Sequence, residues 1–222
     1  MKQWIRSNRG FLVFLLCFGV FRTAVADWNP IPSGSMRPTL LEGDVVLVDR
    51  LAYDLKLPLT GHALARLADP QRGDVVTFSS PADGTRLIKR IVAVPGDVVE
   101  LRDGVLVVNG AAARYDNPSP AVETLGPGLA VHALQATETV AGHSRRVQQL
   151  PGATAARRFG PLRLADEQFF MLGDNRDNSA DSRYIGPVAR QLIIGRAHRV
   201  LVSADITGNW LPRLERTVSA IR

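Results

Sequence analysis

The sequence contains a single cysteine, Cys17, and only four histidines, His62, His132, His143 and His198. One thiol cannot close an intrachain disulfide, and without a second cysteine or a paired histidine spacing there is no zinc-ligand pattern. The histidines lie in stretches with no motif around them and no G-x-S-x-G elbow is present, so serine–histidine catalysis has no visible carrier. Aromatic residues make up only 6% of the chain. The net charge of +6 is spread over scattered Lys and Arg, with no helix-turn-helix and no aromatic-rich RNA-binding motif beside it, which argues against a nucleic-acid partner. Long apolar runs are also missing. The one candidate, Phe11 to Phe21, is short against the ~20 residues of a membrane span. Turn signals recur at irregular spacing, which excludes a solenoid.

What remains is the composition of a folded protein. With 222 residues, 45% hydrophobic and 22% charged, the chain can bury one sizeable core and carry an insertion.

The N-terminus supports two readings. Lys2, Arg6 and Arg9, the apolar run and Ala24-Val25-Ala26 match a cleavable signal peptide with an A-x-A-like site. The same residues match an uncleaved anchor, with Trp4 and Ile5 extending the helix backward and Arg22 snorkelling at its outer end. The basic residues ahead of the run place residues 1–10 in the cytoplasm by the positive-inside rule, so the body lies outside.

The chain is organised around Ile31-Pro32-Ser33-Gly34-Ser35-Met36-Arg37-Pro38. Two prolines and a glycine around two serines make a stiff turn, and a serine held on it is a candidate nucleophile once a neighbouring group takes its proton. Lys89, among Leu87, Ile88, Ile91 and Val92, is the candidate partner. Alternation along a strand sends Ile88 and Lys89 to opposite faces. Burial lowers a lysine's pKa by roughly 3 to 5 units at the extreme, and a neutral amine can serve as a general base. The competing reading is an edge-strand lysine with its ammonium in solvent.

A third block, Phe169 to Pro187, contains Gly173-Asp174-Asn175-Arg176-Asp177-Asn178-Ser179-Ala180-Asp181-Ser182-Arg183. A calcium loop starting at Asp177 would need Gly at Ser182 and Glu at Val188, so no metal is expected. A hydrogen-bonded turn bracing a site suits these side chains better. The three blocks, spanning Pro32–Arg50, Gln71–Asp97 and Phe169–Val188, resemble type I signal peptidase (leader peptidase), a membrane-bound serine peptidase with a Ser/Lys dyad. The resemblance implies Ser35 as nucleophile, Lys89 as general base, the Ser33 hydroxyl and Ser35 N–H as oxyanion hole, Ser179 orienting the lysine amine, and Asp181 with Arg183 bracing that loop. It favours the uncleaved anchor over the signal peptide, although Asp27 and Asn29 stand where apolar residues would approach the serine. It requires no cofactor. Shallow pockets lined by Ile31, Met36, Leu40 and Ile88 would select small residues, and the partners would be signal-peptide-bearing preproteins and membrane lipid. A conjugation-type pilin-processing peptidase of the same superfamily and a noncatalytic membrane-anchored β module are the rivals.

Three Gly-Asp lead-ins, at Gly43-Asp44, Gly73-Asp74 and Gly96-Asp97, precede β-branched runs, and Asp83-Gly84 and Asp103-Gly104 are hairpin signals. The expected fold is mainly β: a coiled antiparallel β-sheet catalytic core over 27–109 and 167–205, with a small inserted second β region over 110–166. One N-terminal transmembrane helix over 11–26 precedes it. Residues 51–70 read as a connecting loop. Residues 206–222, with Trp210, Leu211, Leu214, Val218 and Ile221 at helical spacing, read as an amphipathic tail that packs on the body or lies in the membrane interface. The resemblance, with the basic residues ahead of the run, implies a single-pass protein of the bacterial inner membrane with its catalytic domain on the outer face.

Overall fold

The computed structural model describes residues 2–58, 60, 62–126 and 129–221. Gly61 of the expected loop and Pro127 and Gly128 of the expected insertion lie outside the described residues. Two helices, α1 (Lys2–Ser7) and α2 (Arg9–Ala24), lead into strands β1 (Ala26–Pro30), β2 (Asp44–Asp49), β3 (Asp54–Lys56), β4 (Ala63–Arg66), β5 (Val75–Ser79), β6 (Arg86–Ala93), β7 (Val98–Arg102), β8 (Val105–Val108) and β9 (Ala111–Ala112). Then come β10 (Arg114–Gly126), β11 (Leu129–Val140), β12 (His143–Gln149), β13 (Phe159–Arg163), β14 (Gln168–Leu172), the single turn α3 (Ser182–Ile185), β15 (Val188–Ala189) and β16 (Ile193–Ser203).

The mainly β expectation holds. The largest sheet has seven strands in the order β1-β2-β16-β5-β6-β14-β15, and a second has the order β13-β7-β8-β9. The Gly-Asp lead-ins have a common physical cause. Each glycine takes positive φ, 87° at Gly43, 93° at Gly73 and 85° at Gly96, a region costly for a residue with a Cβ. Each following aspartate then accepts the backbone N–H three residues earlier: Asp44 from Leu41 at 2.9 Å, Asp74 from Gln71 at 3.0 Å and Asp97 from Val94 at 2.8 Å. The carboxylate closes the turn and satisfies a donor that the incoming loop leaves unpaired.

The core lies in three clusters. One joins Ile31, Met36 and Leu40 of the serine turn to Val46, Val48 and Val75, with Ile88 packed against it. A second packs β6 and β14 on the small sheet through Val92, Phe170 and Leu172, and a third gathers Val76, Phe78, Ile91 and Met171.

Several boundaries differ from the sequence-based expectation. The expected transmembrane helix over 11–26 is not found: α2 has 16 residues, about 24 Å at 1.5 Å per residue, and among the described residues no helix is long and apolar enough to cross a membrane. Its C-terminal end is set by the sheet. Ala26 already pairs with Asp49, and Asp27 is buried, accepting from Arg22 and Arg86 at 3.0 Å each. Those guanidiniums explain why a polar residue is tolerated there, and Arg86 also donates to Asn29 Oδ1 at 2.9 Å. The insertion is narrower than 110–166. Only β10-β11-β12 form a separate three-stranded sheet, while Ala111–Ala112 and Phe159–Arg163 join the sheet of β7 and β8. The 51–70 stretch is not merely a connection, since β3 and β4 pair within it.

The tail is not a helix. One 3-10 turn, Leu214–Arg216, interrupts otherwise irregular chain, because Arg213 donates to the Glu42 carbonyl at 2.9 Å and Arg216 Nε to Asp44 at 3.1 Å, pulling the segment onto the body. Trp210, Leu211 and Leu214 stay exposed.

Candidate active site

The serine turn is fixed from below and behind. Met36 and Leu40 are fully buried anchors, Ile31 exchanges backbone hydrogen bonds with Asp44 and Gly43, and Gly34–Met36 winds into a 3-10 turn that leaves Ser35 half-buried and Ser33 exposed. Strand β6 then brings Lys89 across from beside β5, where it pairs with Val76. Lys89 Nζ donates to Ser35 Oγ at 2.7 Å and to the Ile88 carbonyl at 2.9 Å. The lysine is buried, and burial pushes its pKa down to about 8 although Asp181 and Asp174 pull the other way. A serine hydroxyl and a desolvated amine in hydrogen-bond contact form a nucleophile–base pair that can pass a proton at neutral pH.

The loop from Gly173 to Arg183 closes the back of the site. Asn175 N–H donates to the Ser35 carbonyl at 3.1 Å. Asp181 accepts from Gly173 N–H at 3.0 Å and holds Arg183 through two bonds of 2.8 Å. Ser33 Oγ is 3.5 Å from Ser35 Oγ.

Ser179 departs from the expectation that it orients the lysine. Its Oγ is buried and, among the described residues, has no hydrogen-bond partner; the Lys89 amine is directed instead to Ser35 and the Ile88 carbonyl. Ser179 packs against Gly173, where an added Cβ would fall 2.3 Å from Ser179 Oγ and 2.5 Å from the Ser35 carbonyl oxygen. Gly173→Ala is therefore expected to push the loop off the serine turn and to remove most of the cleavage activity, with activity per correctly folded molecule as the readout; retention of wild-type activity would show that the loop can shift at no cost.

The pocket residues are also corrected. Ile31, Met36 and Leu40 are core side chains, with Met36 and Leu40 fully buried, and only Ile88 is partly open. They form an apolar floor beneath Ser35, because the turn needs them as anchors. The cavity adjoining Ser33 and Gly34, about 730 Å³, is walled instead by Glu42, Glu123, Thr124, Leu125 and Ile206.

Sequence reasoning missed the ion pair behind the Ser35–Lys89 contact. Arg90 donates to both carboxylate oxygens of Asp174 at 2.9 and 2.8 Å, and Asp174 also accepts from Thr39 at 2.6 Å. The signal was present, since Arg90 adjoins Lys89 and alternation places it on the other side of the strand. Glu138 is held by Arg176 and Arg145 and accepts from Tyr115 at 2.8 Å; burial opposes its charge, but the two guanidiniums win and hold its pKa down at about 2. No local pattern marked it.

The family profile described as "Signal peptidase, peptidase S26" matches residues 1–202. The chain belongs to the signal peptidase family, peptidase S26. It is thus a serine peptidase, a hydrolase. Among similar proteins, "Signal peptidase I" of Pseudomonas fluorescens is 34% identical over 213 residues, covering 90% of this chain and 72% of that one. "Signal peptidase I" of Pseudomonas aeruginosa is 34% identical over 228 residues, covering 96% and 78%. "Probable signal peptidase I-2" of Synechocystis sp. is 32% identical over 205 residues, covering 88% and 72%. A solved signal peptidase I from Enterococcus faecalis matches at 28% identity and a TM-score of 0.35, covering 59% of this peptidase and 97% of that chain.

Proposed function

We propose that this peptidase removes N-terminal signal peptides from exported preproteins, cutting after a small residue, with Ser35 as nucleophile and Lys89 as general base. The observation that carries the reading is the 2.7 Å contact between Lys89 Nζ and Ser35 Oγ. With the lysine pKa near 8, about a tenth of the molecules hold a neutral amine at pH 7. That amine takes the Ser35 proton as Oγ attacks the scissile carbonyl. The tetrahedral oxyanion is met by the Ser33 hydroxyl and the Ser35 N–H. Lys89 then gives its proton to the departing amine, which frees the mature chain and leaves the signal peptide as an ester on Ser35. Lys89 next deprotonates a water, whose attack on the ester releases the signal peptide and restores the serine. Ser179, Asp181 and Arg183 keep the back wall of the site in place, and the small residue before the cut rests against Ile88, the partly open side chain of this cluster. An extended substrate can add to the sheet edge.

The peptidase works at the bacterial inner membrane with its body on the outer face. The exposed Phe11, Phe14 and Leu16 of α2, behind a basic N-terminus, support that placement.

Cleavage of a preprotein in detergent tests the reading. Wild type is expected to release the mature chain with a rate that rises with pH and levels off above about 8, because the base must be neutral, and Ser35→Ala is expected to release none. A folded Ser35→Ala protein that still cleaves would sink the assignment.

A further inference from the structure

Glu123 of the hairpin insertion lies against the nucleophile turn. Glu123 of β10 is buried, yet among the described residues its hydrogen-bond partners are carboxamides, with no ion pair. Gln148 Nε2 donates to it at 2.7 Å, Asn178 Nδ2 at 3.0 Å, and Asn175 Nδ2 to its two oxygens at 2.8 and 3.0 Å. Glu138, the other buried carboxylate of the insertion, is by contrast neutralised by Arg176 and Arg145. Glu123 also lies against the turn itself: a Cβ on Gly34 would be 2.9 Å from Glu123 Oε1 and equally close to Glu42 Oε1.

Asn175 connects this carboxylate to the reacting group. Its Nδ2 donates to the Gly34 carbonyl at 3.0 Å as well as to Glu123, and its backbone N–H donates to the Ser35 carbonyl at 3.1 Å. The Gly34 carbonyl and the Ser35 N–H belong to one planar peptide group. Fixing the first therefore aims the second. A carboxylate can only accept, so it compels the Asn175 carboxamide to present its NH2 and leaves the second N–H free for the Gly34 carbonyl.

We propose that Glu123 is a positioning residue: through Asn175 it sets the plane of the Gly34–Ser35 peptide and so the direction of the Ser35 N–H at the oxyanion. The insertion thereby acts as a clamp on the nucleophile turn. This inference rests on the reading of Ser35 as nucleophile.

Glu123→Gln keeps the shape but removes the obligatory acceptor, so the Asn175 carboxamide can turn over and release the Gly34 carbonyl. The expected result is a kcat per titrated active site lower by roughly 10- to 100-fold, the scale of a misaimed oxyanion donor, with KM changed by less than about threefold. The pH at which the rate levels off should stay where it is in wild type, since Lys89 is untouched. Gln148→Met, which removes one donor from the same carboxylate without touching the turn, should lower kcat in the same direction by less, and it decides the matter if Glu123→Gln does not fold. A folded Glu123→Gln protein with wild-type kcat, or a loss confined to KM or to the melting temperature, overturns the proposal, as does an unchanged kcat in Gln148→Met when that variant has to decide. Ser35→Ala is assayed in parallel: cleavage by that variant removes the underlying reading, an outcome distinct from an intact kcat in Glu123→Gln.

Discussion

Lys89→Met is expected to abolish turnover and, at pH 7, to raise the melting temperature. Both effects have one cause. Methionine fills the buried site beside Ser35 with an unbranched side chain but cannot accept the Ser35 proton. The wild-type lysine has its pKa lowered from 10.5 to about 8 by burial, so its charged form is disfavoured in the fold by about 3 kcal/mol, at about 1.4 kcal/mol per unit. Below pH 8 both folded and unfolded chains carry the proton, and the cost of burying the charge is present in full. Between about 8 and 10.5 the unfolded chain keeps a proton that the folded one has released, so wild-type stability rises with pH through that window. The advantage of Lys89→Met should therefore be largest at pH 6 to 7 and fade towards pH 10.5. Melting curves across that range are the measurement. A variant less stable than wild type at every pH would show that the amine contributes more through its bonds to Ser35 and the Ile88 carbonyl than its burial costs.

Breaking the ion pair behind the Ser35–Lys89 contact should have the largest effect on folding. Arg90 and Asp174 are both almost wholly buried, at 3% and 1% side-chain exposure, and Arg90 also donates to the Gly73 carbonyl at 2.7 Å. Arg90→Met leaves the Asp174 carboxylate in the interior without its bidentate partner, a situation that costs about 3 to 5 kcal/mol. The double variant Arg90→Met with Asp174→Asn removes the stranded charge and should recover part of that loss. Denaturant unfolding of the two variants decides this: a single-variant loss below about 1 kcal/mol, or no recovery in the double, would mean that water or another group accommodates the carboxylate. Asp174 precedes Asn175, so Arg90→Met should also loosen the loop that carries the Asn175 bond to Ser35.

Much of this was legible beforehand, for local reasons. The Gly-Asp lead-ins could be read because their mechanism spans four residues, and each aspartate does close its own turn. Strand β2 shows the period-2 burial its sequence predicts, with Val46 and Val48 buried and Leu47 not, whereas β5 and β14 are buried along almost their whole length and their place in the sheet is set by packing on both faces. The helical reading of 206–222 failed because spacing reports a face and not a partner. Arg213 and Arg216 find Glu42 and Asp44 some 170 residues away, and these contacts outweigh a weak local preference for helix. The apolar run at the N-terminus forms a helix as its composition requires, but its C-terminal limit is decided by the sheet that takes up Ala26 and Asp27.

By itself the sequence determined the chemistry that was available: a serine on a stiff turn, a lysine between apolar neighbours, a loop dense in Asp and Asn, and strands enough for a β core. Tertiary structure alone decided which groups meet. Ser35 and Lys89, 54 positions apart, close to a single hydrogen bond only because β5 and β6 pair beside the serine turn. Glu123 and Asn175, 52 positions apart, close only because a hairpin of weak pattern folds back on the loop. Pairing across such distances depends on the burial of whole sheet faces, a property of the assembled core that no short stretch of sequence contains.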